Sequence, residues 1–286
     1  MPELPEVQTT VDGLNKRVLG LTIEDVETSY KSNYYLHKDE IKNPHFFKTF
    51  KDKVVGQKII KAERRAKNIL IHLSNQHTIL VHMKMTGFFF YNPPQEERFI
   101  RLAFSLNNGA KLAFSDLRKF AKITLFQTKD MEDTKHLRNI GPEPLDPNFG
   151  LKEFKEAVLK KPKGKIKQVL MNSEVIAGIG NIYSDEILWR ANVHPLSRPE
   201  KIPEPNWKLM FKAMKETLLQ GINFGGDSMS DYRNIDGKKG RFQENHRAYL
   251  MHKKKCLKRG CAGVLQKQSV GGRSAHFCPI HQKLYV

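Results

Sequence analysis

Apolar residues at Leu4, Val7, Val11, Leu14 and Val18 recur at helical spacing behind Pro5 and Glu6. The pattern predicts an N-terminal helix with Pro5 at its first position and Glu6 at the positive end of its dipole. From there to about Gln127 the rhythm shortens to apolar or alternating runs, such as Asn68–Leu73, Thr78–His82 and Lys122–Phe126. Ser74-Asn75, Asn92-Pro93-Pro94 and Asn107-Asn108-Gly109 punctuate them, so this half reads mostly as strands in two packed sheets. Gly141-Pro142-Glu143-Pro144-Leu145-Asp146-Pro147 is too proline-rich for a regular element and makes a linker. Helical patterns follow at Leu151–Lys160, Gly164–Met171, Ile182–Ala191 and Pro205–Gly221, then a glycine-rich loop from Gly225 to Gly240 and a small cysteine-bearing β-hairpin. The fold class is α+β: a domain at 1–140, a linker at 141–150, a helical domain at 151–245 and the hairpin at 246–286.

Charge narrows the partner. A formal net charge of +19 over 286 residues points to a polyanion, most plausibly nucleic acid. No apolar run approaches the roughly 20 residues a membrane span needs, and the N-terminus lacks a basic region followed by an apolar one. A cytoplasmic, nucleoid-associated monomer is expected, with no membrane partner. The lysine-rich patches at Lys160–Lys167 and Lys253–Lys255 read either as solvated faces or as nucleic-acid contacts.

All three cysteines fall in the last thirty-one residues, which argues against a disulfide scaffold and for a local metal site. Cys256-x4-Cys261 and Cys278-x2-His281, sixteen residues apart, make two ligand pairs with the spacing of a tetrahedral zinc site. Four protein ligands and no open position describe one structural zinc ion clamping a hairpin too small for its own core. Free thiols with a surface histidine are the plainer alternative.

Two further stretches allow chemistry. Removal of Met1 would expose the secondary amine of Pro2 beside Glu3. An α-amino group near pKa 7.7–8.0, by the usual model values, is partly unprotonated at neutral pH and can attack a sugar aldehyde carbon to give an iminium ion. The helix start and the nucleophile can coexist. In Gly178-Ile179-Gly180-Asn181, the asparagine could cap the following helix while the glycines let backbone amides approach a phosphate, or the glycines could simply allow tight helix packing.

Taken together, Pro2-Glu3-Leu4-Pro5-Glu6-Val7, Arg64-Arg65-Ala66-Lys67, Asp116-Leu117-Arg118-Lys119-Phe120, Gly178-Ile179-Gly180-Asn181-Ile182-Tyr183 and Gly271-Gly272-Arg273-Ser274-Ala275-His276-Phe277-Cys278 resemble, in order, the signatures of formamidopyrimidine-DNA glycosylase. The resemblance implies a bifunctional base excision repair enzyme that removes oxidised purines, chiefly 8-oxoguanine and formamidopyrimidines, from duplex DNA bound between two domains. An AP lyase activity then cuts the abasic strand by β,δ-elimination. It implies a β-sandwich with an N-terminal helix, a helix-two-turn-helix domain and a zinc hairpin. Pro2 would be the nucleophile at the deoxyribose anomeric carbon, Glu3 the acid that assists ring opening, and Lys67 a catalytic lysine beside the lesion phosphate. Met85, Arg118 and Phe120 would fill the space left by the everted base. Lys167, Asn181 and Arg273 would grip backbone phosphate, and Glu6 and Ser228 would belong to the lesion pocket under a mobile loop at 225–240.

Departures from the family pattern bear on specificity: Ala66 stands where glycine is usual, Leu117 where proline is, and Asp227 where serine or threonine is common. The zinc site carries His281 in place of a fourth cysteine. Two rival functions are an endonuclease VIII-like glycosylase for oxidised pyrimidines and a non-catalytic damaged-DNA-binding protein. Leu4 and the complete Met85, Arg118 and Phe120 set count against the first, and the second has no need of Pro2-Glu3.

Overall fold

A computed structural model of the chain describes residues 1–286. Two compact units result: Met1–Arg138 with Phe224–Arg241, and Asn139–Asn223 with Phe242–Val286. No helix among the described residues is long and apolar enough to cross a membrane.

The first unit opens with α1 (Leu4–Arg17), with Pro5 in its first turn, Glu6 near its positive end, and Lys16 and Arg17 in its last turn. Its stripe of Val7, Val11 and Leu14, with Val18 beyond, is buried in one hydrophobic core with Phe50, Ile71, Phe89, Phe104 and Phe114. That core lies among strands of two antiparallel four-stranded sheets. One has the order β1 (Ile23–Thr28), β6 (Ile100–Leu106), β7 (Lys111–Asp116), β5 (Gly87–Tyr91). The other runs β2 (Ile59–Arg65), β3 (Asn68–Leu73), β4 (His77–His82), β8 (Lys122–Gln127). The strands of the sequence reading are present, but that reading passes over a helix, α2 (Pro44–Val54). Its start signal stands in the sequence: Asn43 accepts the amide of His45 at 3.0 Å and Pro44 takes the first helical position. The segment Phe224–Arg241 groups with this unit rather than with the helices on either side of it, because Ile235 enters the core and its carbonyl accepts the amide of Tyr91 at 2.8 Å.

The second unit holds α3 (Leu151–Leu159), α4 (Ile166–Met171), α5 (Asn181–Ala191) and α6 (Glu204–Asn223), close to the helices the sequence predicts. A two-stranded hairpin of β9 (Gln266–Val270) and β10 (Arg273–Phe277) follows. Buried on nearly every side, α5 packs Tyr183 against Phe242 with ring centroids 4.9 Å apart, and it also buries two carboxylates. One of these, Glu186, accepts the backbone amides of Arg247, Ala248 and Tyr249 at 2.9–3.0 Å, fixing the chain that leads to the hairpin.

Candidate active site and nucleic-acid interface

The capping carboxylate Glu6 organises the N-terminus. One of its oxygens accepts the amide of Glu3 at 2.7 Å and the other accepts the amide of Asp227 at 2.7 Å. Its backbone carbonyl takes a 3.0 Å hydrogen bond from the Tyr232 hydroxyl. The helix that presents Pro2 and Glu3 is thus tied through one buried residue to the glycine-rich loop. Gly226, at φ +85°, brings that loop so close that a Cβ there would meet Glu6 Cγ at 2.9 Å. Within the loop the Ser228 hydroxyl donates to the Tyr232 carbonyl at 2.9 Å and accepts the Gly240 amide at 2.9 Å. Ser228 therefore shapes the loop with its own side chain. Pro2, Glu3 and Glu6 are all buried, so their surroundings are set by packing rather than by bulk water.

Lys67 sits in the tight turn between β2 and β3, after Ala66 at φ 54°. That left-handed conformation is the physical reason a glycine would be at ease at 66. The turn is held from α1, since the Asn15 side chain exchanges two hydrogen bonds with the Ala62 backbone at 2.8 and 2.9 Å and Gln8 accepts from Arg64 Nε at 3.0 Å.

Met85, Arg118 and Phe120 come together on two loops of this unit. The guanidinium carbon of Arg118 lies 4.6 Å from the Phe120 ring centroid, and its Nη1 is 3.1 Å from Met85 Sδ. All three are exposed, Met85 by 41% and Phe120 by 51%, so a core-packing role is ruled out.

In the second unit, Cys256, Cys261, Cys278 and His281 converge, with their ligand atoms all within 4.8 Å of one another. Cys256 Sγ is 3.3 Å from His281 Nδ1, and Cys261 Sγ is 3.6 Å from Cys278 Sγ. A tetrahedral ion with metal–sulfur bonds near 2.3 Å has sulfur–sulfur edges of about 3.8 Å, so the four donors fit a single metal ion. His281 Nε2 lies 3.1 Å from the Trp189 carbonyl, which fixes the ring with Nδ1 toward the sulfurs. Burial pushes the Cys256 thiol up to about 11, so a thiolate there calls for a neighbouring cation.

Two expectations change in this unit, the surface position of Lys167 and the capping role of Asn181. Lys167 is fully buried: its ammonium pairs with Asp185 Oδ1 at 2.6 Å and donates to Ser184 Oγ at 3.0 Å and the Asn181 carbonyl at 3.2 Å. It pins α4 to the first turn of α5 and offers no charge at the surface, because its acidic partner eighteen residues on takes the ammonium into the core. The other oxygen of Asp185 accepts both the amide and Nδ1–H of His276, at 3.0 and 2.9 Å, so the same carboxylate reaches β10. Asn181 is the first residue of α5 rather than its cap; Gly180 is the cap residue, and the Asn181 side-chain oxygen has no hydrogen-bond partner among the described residues. Arg273 is exposed at the start of β10, beyond the Gly271-Gly272 turn.

Comparison with known proteins identifies the family. Residues 1–123 match the formamidopyrimidine-DNA glycosylase N-terminal domain, and residues 140–233 match the H2TH domain of formamidopyrimidine-DNA glycosylase. The formamidopyrimidine-DNA glycosylases of Heliobacterium modesticaldum and Pelotomaculum thermopropionicum are each 35% identical to the chain, across 99% of it and 100% of their own lengths. A complex between the Lactococcus lactis Fpg and DNA containing an abasic site superposes with a TM-score of 0.86 at 30% identity, over 98% of this chain and 99% of that one. MutM in complex with DNA containing carbocyclic 8-oxo-G gives the same TM-score and identity over 99% and 100%. The chain belongs to the formamidopyrimidine-DNA glycosylase family.

One polar residue of this glycosylase escapes the sequence reading. His82 ends β4 directly opposite Asn68, the neighbour of Lys67, and its Nδ1 accepts the Lys84 amide at 3.0 Å. That bond leaves the proton on Nε2. Burial, reinforced by the charges of Lys84 and Lys67, lowers its pKa to about 3, so the ring is a neutral donor beside Lys67. The signal available in sequence was only a polar residue closing an apolar strand, which strand ends show routinely.

The depressed value has a consequence for acid stability. Below pH 6.5 the unfolded chain binds a proton that folded His82 refuses, so stability falls as pH drops from 6.5 toward 3, by about 1.4 kcal/mol per pH unit. His136, lowered to about 4 by burial and then by Lys122 and Lys135, acts in the same direction. Urea midpoints between pH 7.5 and 5.5 should fall steeply for the native glycosylase and less so for His82→Gln. Equal slopes for the two proteins would remove His82 from this account.

Proposed function

We propose that this glycosylase excises 8-oxoguanine and formamidopyrimidines from duplex DNA and then opens the abasic strand, using the Pro2 amine freed by loss of Met1. The supporting observation is the exposed Met85–Arg118–Phe120 cluster in the same unit as the buried Pro2-Glu3 terminus. A flexible apolar side chain, an aromatic ring and a guanidinium held at the surface suit the place of an everted nucleotide, where stacking must be replaced and the orphaned partner base bonded. In the reaction, the Pro2 nitrogen forms a bond to C1′ as the N-glycosidic bond breaks and the base leaves with that electron pair and a proton. Glu3 protonates the ring oxygen as C1′ becomes an iminium carbon and the sugar opens. Loss of a C2′ proton then expels the 3′-phosphate, and a second elimination releases the 5′-phosphate.

Lys67, Asn181 and Arg273 are assigned to backbone phosphates, which position the duplex without reading its sequence. The neutral Nε2–H of His82 would add a donor beside Lys67. Lys167 acts at one remove, through Asp185. Glu6 and Ser228 order the loop at the lesion pocket, with Asp227 in place of a hydroxyl residue. The working division gives the sugar chemistry and the lesion loop to the unit of Met1–Arg138 and Phe224–Arg241, and the helix-two-turn-helix, with the hairpin at 246–286, to the other, with the linker at 141–150 leading into its helices. The four-donor cluster would hold one zinc ion, which the three thiolates and one imidazole suit, and its contribution is to fold the hairpin that carries Arg273.

Opposite-base preference tests the assignment. The Arg118 guanidinium can donate two hydrogen bonds to the acceptor edge of an orphaned cytosine but meets the amino group of adenine, a difference of roughly 1–3 kcal/mol or about tenfold to a hundredfold. Single-turnover excision of 8-oxoguanine should be faster opposite cytosine by that factor, and Arg118→Ala should flatten the ratio more than it slows the cytosine duplex. Equal rates opposite both bases in the native enzyme, or a preference for oxidised pyrimidines, would contradict the reading.

A further inference from the structure

The Met85 and Arg118–Phe120 loops contain two non-glycine residues in the left-handed region, Lys84 and Lys119, both at φ 55°. Loops with such residues hold one shape only where the surroundings over-determine it. Here His82 holds the amide of Lys84, and one carboxylate ties the two loops to each other. Asp116, the last residue of β7, is fully buried. Its Oδ1 accepts the Thr86 hydroxyl at 2.7 Å, and its Oδ2 accepts the Tyr30 hydroxyl at 2.8 Å and the Ala121 amide at 2.9 Å. Thr86 Oγ1 in turn accepts the Arg118 amide at 3.1 Å. One side of the network thus fixes the residue after Met85, and the other brackets Arg118 and Phe120 at both ends. Tyr30 stands outside both loops, just beyond β1, and is 3% exposed. Burial and the adjacent Asp116 charge raise its hydroxyl above the ordinary tyrosine range, so it remains a donor.

We propose that Tyr30 and Asp116 are positioning residues that seat the two loops as one wedge, so that Met85, Arg118 and Phe120 enter the duplex in register, and that Tyr30 thereby sets how sharply the enzyme separates cytosine from adenine opposite the lesion. The proposal rests on the reading of the exposed cluster as the group that replaces the everted base. It makes no demand on the sugar chemistry. Tyr30→Phe deletes one hydroxyl and keeps the ring, so it tests the bond without emptying the core.

The measurement is single-turnover excision of 8-oxoguanine opposite cytosine and opposite adenine, alongside strand cleavage at a preformed abasic site at saturating DNA. For Tyr30→Phe the cytosine-to-adenine ratio should fall about three- to tenfold, the net worth of a typical intramolecular hydrogen bond, while abasic-site cleavage stays within about twofold. The double variant Tyr30→Phe/Arg118→Ala should show the same ratio as Arg118→Ala alone, because both act through one contact. Asp116→Asn should flatten the ratio further. An unchanged ratio in Tyr30→Phe, with Arg118→Ala flattening it, would overturn the seating role and leave the wedge reading standing. Equal losses of ratio-independent excision and abasic cleavage would reduce Tyr30 to a structural residue. An unchanged ratio in Arg118→Ala itself would overturn the wedge reading and this proposal together.

Discussion

Replacing Pro2 with glycine should lower single-turnover excision and strand cleavage on an 8-oxoguanine duplex by about 100-fold or more, while DNA affinity changes by less than about tenfold. The separation follows from what each group does. The residues proposed to hold backbone phosphate, Arg273, Asn181 and Lys67, are untouched, whereas the secondary amine that yields a permanently cationic iminium is gone. Glycine still presents a primary amine, but its imine must be protonated before it can accept electrons, and it lacks the ring that fixes the nitrogen. Glu3→Gln should also impair turnover, through ring opening rather than bond formation to C1′. Normal excision by Pro2→Gly, measured with DNA above its Kd, would place the nucleophile elsewhere.

Removal of the metal should act on binding instead of chemistry. Cys278 is fully buried in a small core with Trp189, Ala248, Cys256 and Leu265, directly beside the end of β10. Structural zinc in small peptides is worth about 10–16 kcal/mol, so its loss from such a hairpin should disorder β9 and β10. Cys278→Ala or chelator treatment should bring metal content from about one equivalent to near zero and weaken DNA binding by about 100-fold. The salt dependence of binding should shallow by about one phosphate if the contact proposed for Arg273 is lost with the hairpin. Cleavage of an abasic site at saturating DNA should stay within a few-fold. Metal analysis, a salt titration of Kd and the saturated rate check this together. Full affinity at zero metal would show that the hairpin needs no ion.

Local patterns carried much of this fold. The stripe from Leu4 to Val18 specifies α1 because burial on one side is a property of spacing alone, and the cysteine and histidine spacing specifies the metal cluster because chelation needs only short turns. What stayed hidden depends on partners distant in sequence. Nothing near Lys167 says that Asp185 will draw its charge inside, so a lysine in a basic run reads as a surface contact. Likewise Ile235 lies in a stretch of polar and glycine residues, yet it packs against Gly13, where a Cβ would meet its Cγ2 at 2.5 Å. His82 becomes notable only once pairing puts it opposite Asn68, and Asp116 only when Tyr30, Thr86 and Ala121 converge on it. By contrast, α2 was readable from Asn43-Pro44 and was obscured by the strand-like runs on its C-terminal side.

In the proposed mechanism the chain's own N-terminal nitrogen carries the sugar as a covalent iminium. Reaction of the Met1-free enzyme with an 8-oxoguanine:cytosine duplex in the presence of borohydride should reduce that iminium to a stable protein–DNA adduct, and mass spectrometry of the digested adduct should place the sugar on the peptide beginning at Pro2. An adduct on Lys67 or another lysine, formed in full yield by Pro2→Gly, would contradict it.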